Sequence, residues 1–300
     1  MSWNKLNVLH WHIVDLDSFP YESIVLPNLA EQGSYTQYSH VYGIEDVENI
    51  IKFGRYRGVR VIPEFDTPGH VASWGPGAGE GFLTNCCDHN GEKNGLFGPI
   101  DPTVQSNYDL VNKLYSEVSN IFTDGYIHLG GDEVPFDCWK SNPNITAYMT
   151  KHNLKSYSEL ESIWVEGVIK MAQALNVEYI VWEEVFNNGV KIDSKTIVEV
   201  WKGRLDGGWK KTMKRVTEAN HRAILSAPWY LNLISYGVDW QKYYKVEPTD
   251  FNGTDAEKKL VMGGSAAMWG EYVDGTNALS RTWPRASAVG MIMYHPYQVN

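Results

Sequence analysis

The strongest constraint on this chain is a recurrence. Seven short apolar runs appear, at residues 6–14, 59–65, 126–129, 179–185, 196–201, 222–230 and 261–269. Patterns of helical spacing lie between them. One runs from Ile44 to Arg57, with Ile44, Val47, Ile50, Ile51 and Phe53 on its apolar side, and stops at Gly58. Others cover 104–122, 136–176 with breaks near Pro143 and Ser156, and 209–219. Strands that read as continuous apolar runs are parallel and covered on both faces. The order therefore predicts an α/β chain, a (β/α)₈ TIM barrel, whose chemistry belongs at the carboxyl ends of the strands. A doubly wound open sheet is the competing architecture, but no Gly-rich phosphate loop follows any run. A barrel needs eight strands. The missing unit is expected at the N-terminus, because the first run begins so soon after Met1. Residues 74–102 read as a long Gly-rich loop.

Each run ends in something chemical. Asp15, Asp66 with His70, Asp132 with Glu133, Trp182 with Glu183, Trp201, Tyr230, and Trp269 with Glu271 all fall at that edge. The sharpest case is Tyr126 to Val134, where a short strand meets Gly130 and Gly131 and then two adjacent acids. The glycines permit a tight turn and a close backbone approach. Neighbours leaving a strand point to opposite sides, so Asp132 and Glu133 are expected to do different jobs. The net charge of −10 argues against a nucleic-acid partner and fits a neutral or cationic small ligand. Twelve Trp and eighteen Tyr supply flat faces that suit sugar rings, although most aromatics of any domain are core.

No apolar run is long enough to span a bilayer. No signal peptide is read at the start of the chain. Asn144-Ile145-Thr146 and Asn252-Gly253-Thr254 are glycosylation sequons that matter in a secreted or lysosomal protein. Cys86, Cys87 and Cys138 lack zinc-site spacing, and one stays unpaired if a disulfide forms. A second chemistry stays open: His10 and His12 at i, i+2, with His70 and His128, could build a metal-dependent hydrolase site. The reading adopted here needs no metal and no cofactor.

Five stretches resemble family 20 glycoside hydrolases, the β-N-acetylhexosaminidases, most closely the animal lysosomal type. They are Asn7 to Asp15, Phe65-Asp66-Thr67-Pro68-Gly69-His70, His128-Leu129-Gly130-Gly131-Asp132-Glu133, Ser226 to Asn232, and Met268-Trp269-Gly270-Glu271-Tyr272. The resemblance implies removal of terminal non-reducing N-acetylhexosamines, GlcNAc or GalNAc, from glycoconjugates and gangliosides by retaining, substrate-assisted catalysis. It makes Glu133 the general acid and base, and Asp132 the holder of the acetamido N–H. Trp182, Trp201 and Trp269 become walls of the sugar pocket. Tyr230 becomes the partner of the acetamido oxygen, and Glu271 and Asn232 bind ring hydroxyls. Asp15 and His70 stand behind Glu133. The family also pairs cysteines at the positions of Cys86 and Cys138, leaving Cys87 free. It implies a lysosomal or extracellular full-length protein, glycosylated at Asn144 and Asn252, in homo- or heterodimers.

The chain also departs from the family pattern. The arginine that clamps sugar hydroxyls lies on a strand before Met1, and the N-terminal α/β domain is absent. Residues 1–289 are read as the catalytic barrel domain without its first strand and helix. Residues 290–300 are read as a divergent tail, because Gly290 and Pro296 are poor helix formers. Low activity of the 300-residue chain alone, or a non-catalytic sugar-binding remnant, is the matching expectation. Leu16 replaces a family acid beside Asp15, which is expected to disturb that loop. Leu233 stands where some homologues have a basic residue, which implies a preference for neutral sugars.

Overall fold

The computed structural model describes residues 1–294. The strands are β1 (Val8–His12), β2 (Arg60–Glu64), β3 (Leu83–Cys87), β4 (Lys93–Ile100), β5 (Tyr126–His128), β6 (Glu178–Trp182), β7 (Ile197–Val200), β8 (Arg222–Leu225) and β9 (Val261–Gly264). The chain packs as two compact units, Val8–Ile192, and Met1–Asn7 with the segment from Asp193 onward.

In Val8–Ile192, β1, β2, β5 and β6 lie side by side and parallel. Three helices cover them, and each buries the apolar stripe that its spacing dictates. Ile44–Arg55 turns in Val47 and brings Gly54 so close to the chain that a Cβ there would stand 2.8 Å from the Val59 carbonyl. Gln105–Ile121 buries Val111, Leu114, Tyr115 and Val118. Tyr157–Ala174 starts where the Ser156 hydroxyl accepts the Glu159 N–H, and buries Leu160, Trp164, Val165, Val168, Ile169 and Ala172. Burying each such side chain stabilises the fold by roughly 1.5–3 kcal/mol. The Trp164 indole also donates to the Thr67 hydroxyl at 2.9 Å, which ties this helix to the loop after β2.

The stretch 74–102 is more ordered than its glycines imply. β3 and β4 form an antiparallel hairpin whose register shifts twice, so no clean alternation marks it in the sequence. Contacts from outside the hairpin hold it. The Trp139 indole donates to the Thr84 hydroxyl and the Ile100 carbonyl, and Cys86 is bonded to Cys138. Cys87 is the free cysteine. That disulfide closes a loop spanning 52 positions, worth about 4 kcal/mol on chain-entropy grounds. Behind it, Trp139, Ile145, Met149 and Leu160 form a small core of their own. The breaks expected near Pro143 and Ser156 separate the helices Asp137–Ser141, Pro143–Lys151 and Tyr157–Ala174.

In the other unit β7, β8 and β9 are parallel neighbours. The helix Trp209–Glu218 covers them with Trp209, Met213 and Val216. The strands stop earlier than the apolar runs suggest. β8 gives way to a 3-10 turn, Ala227–Trp229, that begins around Pro228, and β6 to a short helix, Glu183–Asn187. Apolar character continues past each strand end because the turns are buried too.

The helix Arg285–Tyr294 corrects the reading of the tail: it runs straight through Gly290. A Cβ at that position would stand 2.2 Å from the Asn4 carbonyl, so the glycine is what lets the helix lie against the N-terminal turn. Pro296 and the rest of 295–300 lie outside the described residues. Among the described residues the α/β class and the seven strands, parallel to their neighbours within each unit, agree with the sequence, and no helix is long and apolar enough to cross a membrane.

Candidate active site

The carboxyl ends of β1, β2, β5 and β6 bring one cluster together. After β5 the chain passes Gly130 and Gly131, both at positive φ. Gly130 cannot be anything else, because its Cβ would lie 1.7 Å from Oδ1 of Asp66. The Gly131 N–H donates to that same oxygen at 2.7 Å. This close turn delivers Asp132 into the interior and Glu133 into the open, with their side chains 12% and 57% exposed. Between them stands His70, its Nε2 at 3.8 Å from Asp132 Oδ2 and 3.7 Å from Glu133 Oε2. Its Nδ1 pairs with Asp15 Oδ1 at 2.9 Å.

Environment separates the acids. Burial, reinforced by the nearby Glu64 and Glu184, pushes Asp132 up to about 6, against the pull of Asp66 and His70. Asp66 is held well above the usual carboxylate range by burial and by the charge of Asp132. Asp15 lies well below that range, because His12 and His70 overcome its partial burial. His70 is raised: burial works against it, but Asp15 and Asp132 prevail.

Leu16 does not break the loop after β1. Its N–H donates to Asp15 Oδ1, and the Asp15 N–H donates to Ser18 O at 3.0 Å, closing a tight turn with Leu16 turned outward.

Trp182 sits at the end of β6, buried, with its indole N–H donated to Glu64 Oε1 at 2.7 Å. Glu64 does not stand out in the sequence. It is a single acid inside the apolar run 59–65, and only the parallel register, which sets it beside His12 and His128, reveals its surroundings. Its Oε2 lies 2.6 Å from His10 Nε2 and 3.0 Å from His12 Nδ1. His10 and His128 stack at 4.6 Å beside it. The His128 Nδ1 accepts the Gly130 N–H at 3.1 Å, and burial pushes this ring down to about 4, leaving it neutral. The four histidines of the metal-site reading do not share one point. His10, Glu64 and His128 gather in one place and Asp66, His70 and Asp132 in another.

The second unit gathers the remaining residues. Past β8 and β9, residues 229–231 pair with Ala267: the Leu231 N–H donates to Ala267 O, and the Ala267 N–H to Trp229 O. This extension carries Tyr230, and beyond it Trp269. The Trp201 and Tyr230 rings stack at 6.1 Å. Asn232 Nδ2 donates to Glu271 Oε2 at 3.1 Å. Both sequon asparagines, Asn144 and Asn252, are exposed.

Parallel strands that end in a paired, unequal set of buried and open carboxylates define a barrel-type glycoside hydrolase domain. The chain belongs to glycosyl hydrolase family 20: residues 1–297 match its catalytic domain. It is 50% identical over 289 residues to β-hexosaminidase subunit alpha of Mus musculus, covering 96% of this chain and 54% of that protein. It is 51% identical over 291 residues to the subunit beta of Homo sapiens, covering 97% and 51%. The chain thus spans about half the length of the curated relatives it matches. Among solved structures it superposes on a Flavobacterium johnsoniae chitobiase with a TM-score of 0.84 at 28% identity, over 97% of this chain and 44% of that one. A β-N-acetylhexosaminidase from Bacteroides fragilis, 23% identical with a TM-score of 0.81 over 97% of this chain and 61% of that one, shares the fold.

Proposed function

We propose that this chain carries the catalytic residues of a retaining β-N-acetylhexosaminidase that removes terminal GlcNAc or GalNAc from glycoconjugates. The observation that supports it best is the pair Asp132 and Glu133 on either side of His70, one buried and one open. Glu133, reachable from solvent, protonates the leaving glycosidic oxygen and later takes a proton from water. The substrate's acetamido oxygen attacks the anomeric carbon and forms an oxazolinium ring, so no protein nucleophile is required. Asp132, ionised above about 6, accepts the acetamido N–H and offsets the positive charge that grows on the ring. Asp15 and His70 position Glu133. Trp182, Trp201 and Trp269 take the roles of sugar-facing walls, Tyr230 that of the acetamido oxygen's partner, and Asn232 and Glu271 those of hydroxyl ligands. The apolar Leu233 favours neutral over sulfated sugars. The full-length protein is lysosomal or secreted, glycosylated at Asn144 and Asn252, and assembles as a dimer with itself or with a related subunit.

The test pairs binding with turnover. The chain binds an N-acetylhexosamine thiazoline, which mimics the oxazolinium ring. Glu133→Gln keeps that binding and loses hydrolysis of a chromogenic N-acetylglucosaminide. A chain that neither binds the thiazoline nor turns over the substrate overturns the proposal.

A further inference from the structure

We propose that Glu64 is a positioning residue for the catalytic carboxylates, acting through His12 on the Asp15–His70 pair and through the indole of Trp182 on the pocket wall. The inference rests on the catalytic reading of Asp132 and Glu133 given above.

A carboxylate with no solvent exposure is strongly destabilising unless it is matched by donors. Glu64 is matched on both oxygens. Oε1 takes the Trp182 indole N–H, and Oε2 takes His10 Nε2 and lies 3.0 Å from His12 Nδ1. The other nitrogen of His12, Nε2, stands 3.1 Å from Asp15 Oδ2. Asp15 Oδ1 is 2.9 Å from His70 Nδ1, and His70 Nε2 reaches Asp132 and Glu133. The result is a ladder from the core to the open acid: carboxylate, imidazole, carboxylate, imidazole, carboxylate.

His12 is the rung that gives the ladder its sign. A neutral imidazole offers one N–H, but this ring has a carboxylate oxygen 3.0 Å from Nδ1 and another 3.1 Å from Nε2, which favours the charged form with a proton on each nitrogen. Glu64 and Asp15 face it, His70 meets it edge-on, and His128 feels its charge from the far side of Glu64. Burial opposes its charge, yet the two carboxylates hold it up to about 10. His128, also beside Glu64, accepts a backbone N–H and stays neutral. The cation on His12 offsets Asp15, so His70 faces Asp15, Asp132 and Glu133 with its proton held less tightly than Asp15 alone would hold it. Removing the charge of Glu64 loosens the hold of His12 on its proton. Asp15 then acts on His70 with less opposition. The same carboxylate grips Trp182, so one residue governs a sugar-facing wall and the partner of the general acid.

The experiment uses the full chain with ¹⁵N-labelled histidines. In the wild type the His12 signal stays that of an imidazolium through the neutral range. In Glu64→Gln its titration falls by about 1–3 pH units, the scale of one lost opposite charge. The acid limb of thiazoline affinity, which Asp132 sets, moves downward, because the charge of Glu64 helps to raise Asp132 and a more firmly protonated His70 lowers it, and Glu64→Asp restores both in part. If Glu64→Gln does not fold, Asp15→Asn removes the other flanking charge and must lower the same His12 titration. A wild-type His12 that titrates at its ordinary value overturns the inference. So does a Glu64→Gln thiazoline profile that superposes on the wild type. Loss of all thiazoline binding by the wild type overturns the hexosaminidase reading and this inference with it, whereas an indifferent Glu64→Gln profile overturns this inference alone.

Discussion

His70 and Glu133 face each other across 3.7 Å, and both hold left-handed backbone, at φ 53° and 49°. Side chains with a Cβ rarely adopt that conformation, and each such residue costs on the order of 1–3 kcal/mol. Two of them facing each other in the loops after β2 and β5 mark a place where geometry is kept at the expense of stability. Glu133→Gly removes the steric part of that cost. The expected result is a gain of about 1 kcal/mol in urea unfolding together with loss of hydrolysis. Glu133→Gln keeps the strain and loses general acid catalysis, about 10²–10⁴-fold in kcat. A Glu133→Gly chain less stable than the wild type would show that the turn is not strained.

Asp132 gives a pH dependence whose sign follows from its surroundings. It titrates at about 6, raised chiefly by burial. Its proposed role needs the ionised form, so affinity for the thiazoline falls as pH drops through about 6. In Asp132→Asn that acid limb is absent and affinity is low at every pH. Calorimetric titration across the range checks both statements. An acid limb that survives in Asp132→Asn would assign the titration to another group.

Much of this arrangement is legible in the sequence, and the reasons for the rest are physical. The apolar runs locate the parallel strands, most plainly β2, β5, β6 and β7, because strands buried on both faces need unbroken apolar character, whereas β1 and β9 are only partly buried. The runs overshoot at Leu225 and Trp182 because the turns that follow are buried as well. The β3–β4 hairpin stays hidden because Cys86 and Trp139 hold it from outside, not a pattern within it. Gly290 reads as a helix breaker because its reason, the Asn4 carbonyl, is far away in sequence. Asp132 and Glu133 announce themselves by two glycines and adjacency. Glu64 does not, since an isolated acid in an apolar run gains meaning only from the neighbouring strands.

Arg281 is a positioning residue of the same hidden kind. Its Nη2 donates to the carbonyls of Leu231, Asn232 and Leu233, at 3.2, 2.8 and 2.6 Å. Asn232 in turn donates to Glu271. One guanidinium thus sets the backbone of the segment proposed to bind ring hydroxyls. Lysine, with a shorter and more flexible stem, does not hold its nitrogen where Nη2 meets these three carbonyls. Arg281→Lys is expected to raise KM about tenfold, the scale of one or two lost hydrogen bonds, with a smaller change in kcat. Steady-state kinetics of a chain with measurable turnover separate the two. Equal falls in kcat and kcat/KM would place the effect on the reacting centre instead.

Glu161 makes a stability prediction with a defined window. The residue is fully buried, accepts the Asn188 amide at 2.9 Å, and lies near Glu184. Burial first and then the charge of Glu184 raise it from 4.5 to about 7, against the Asn188 hydrogen bond. Because the folded state holds this proton more tightly than the unfolded chain, folding takes up a proton between those two values. Stability is therefore lost as pH rises through that window. The penalty is absent below 4.5 and complete above about 7. Glu161→Gln keeps the shape and the acceptor for Asn188 but has nothing to ionise. It is expected to stabilise the chain by on the order of 2 kcal/mol just above neutrality and to change little in mild acid. Urea unfolding at the two pH values measures the difference. An equal effect at both would mean that Glu161 contributes by packing and not by its charge.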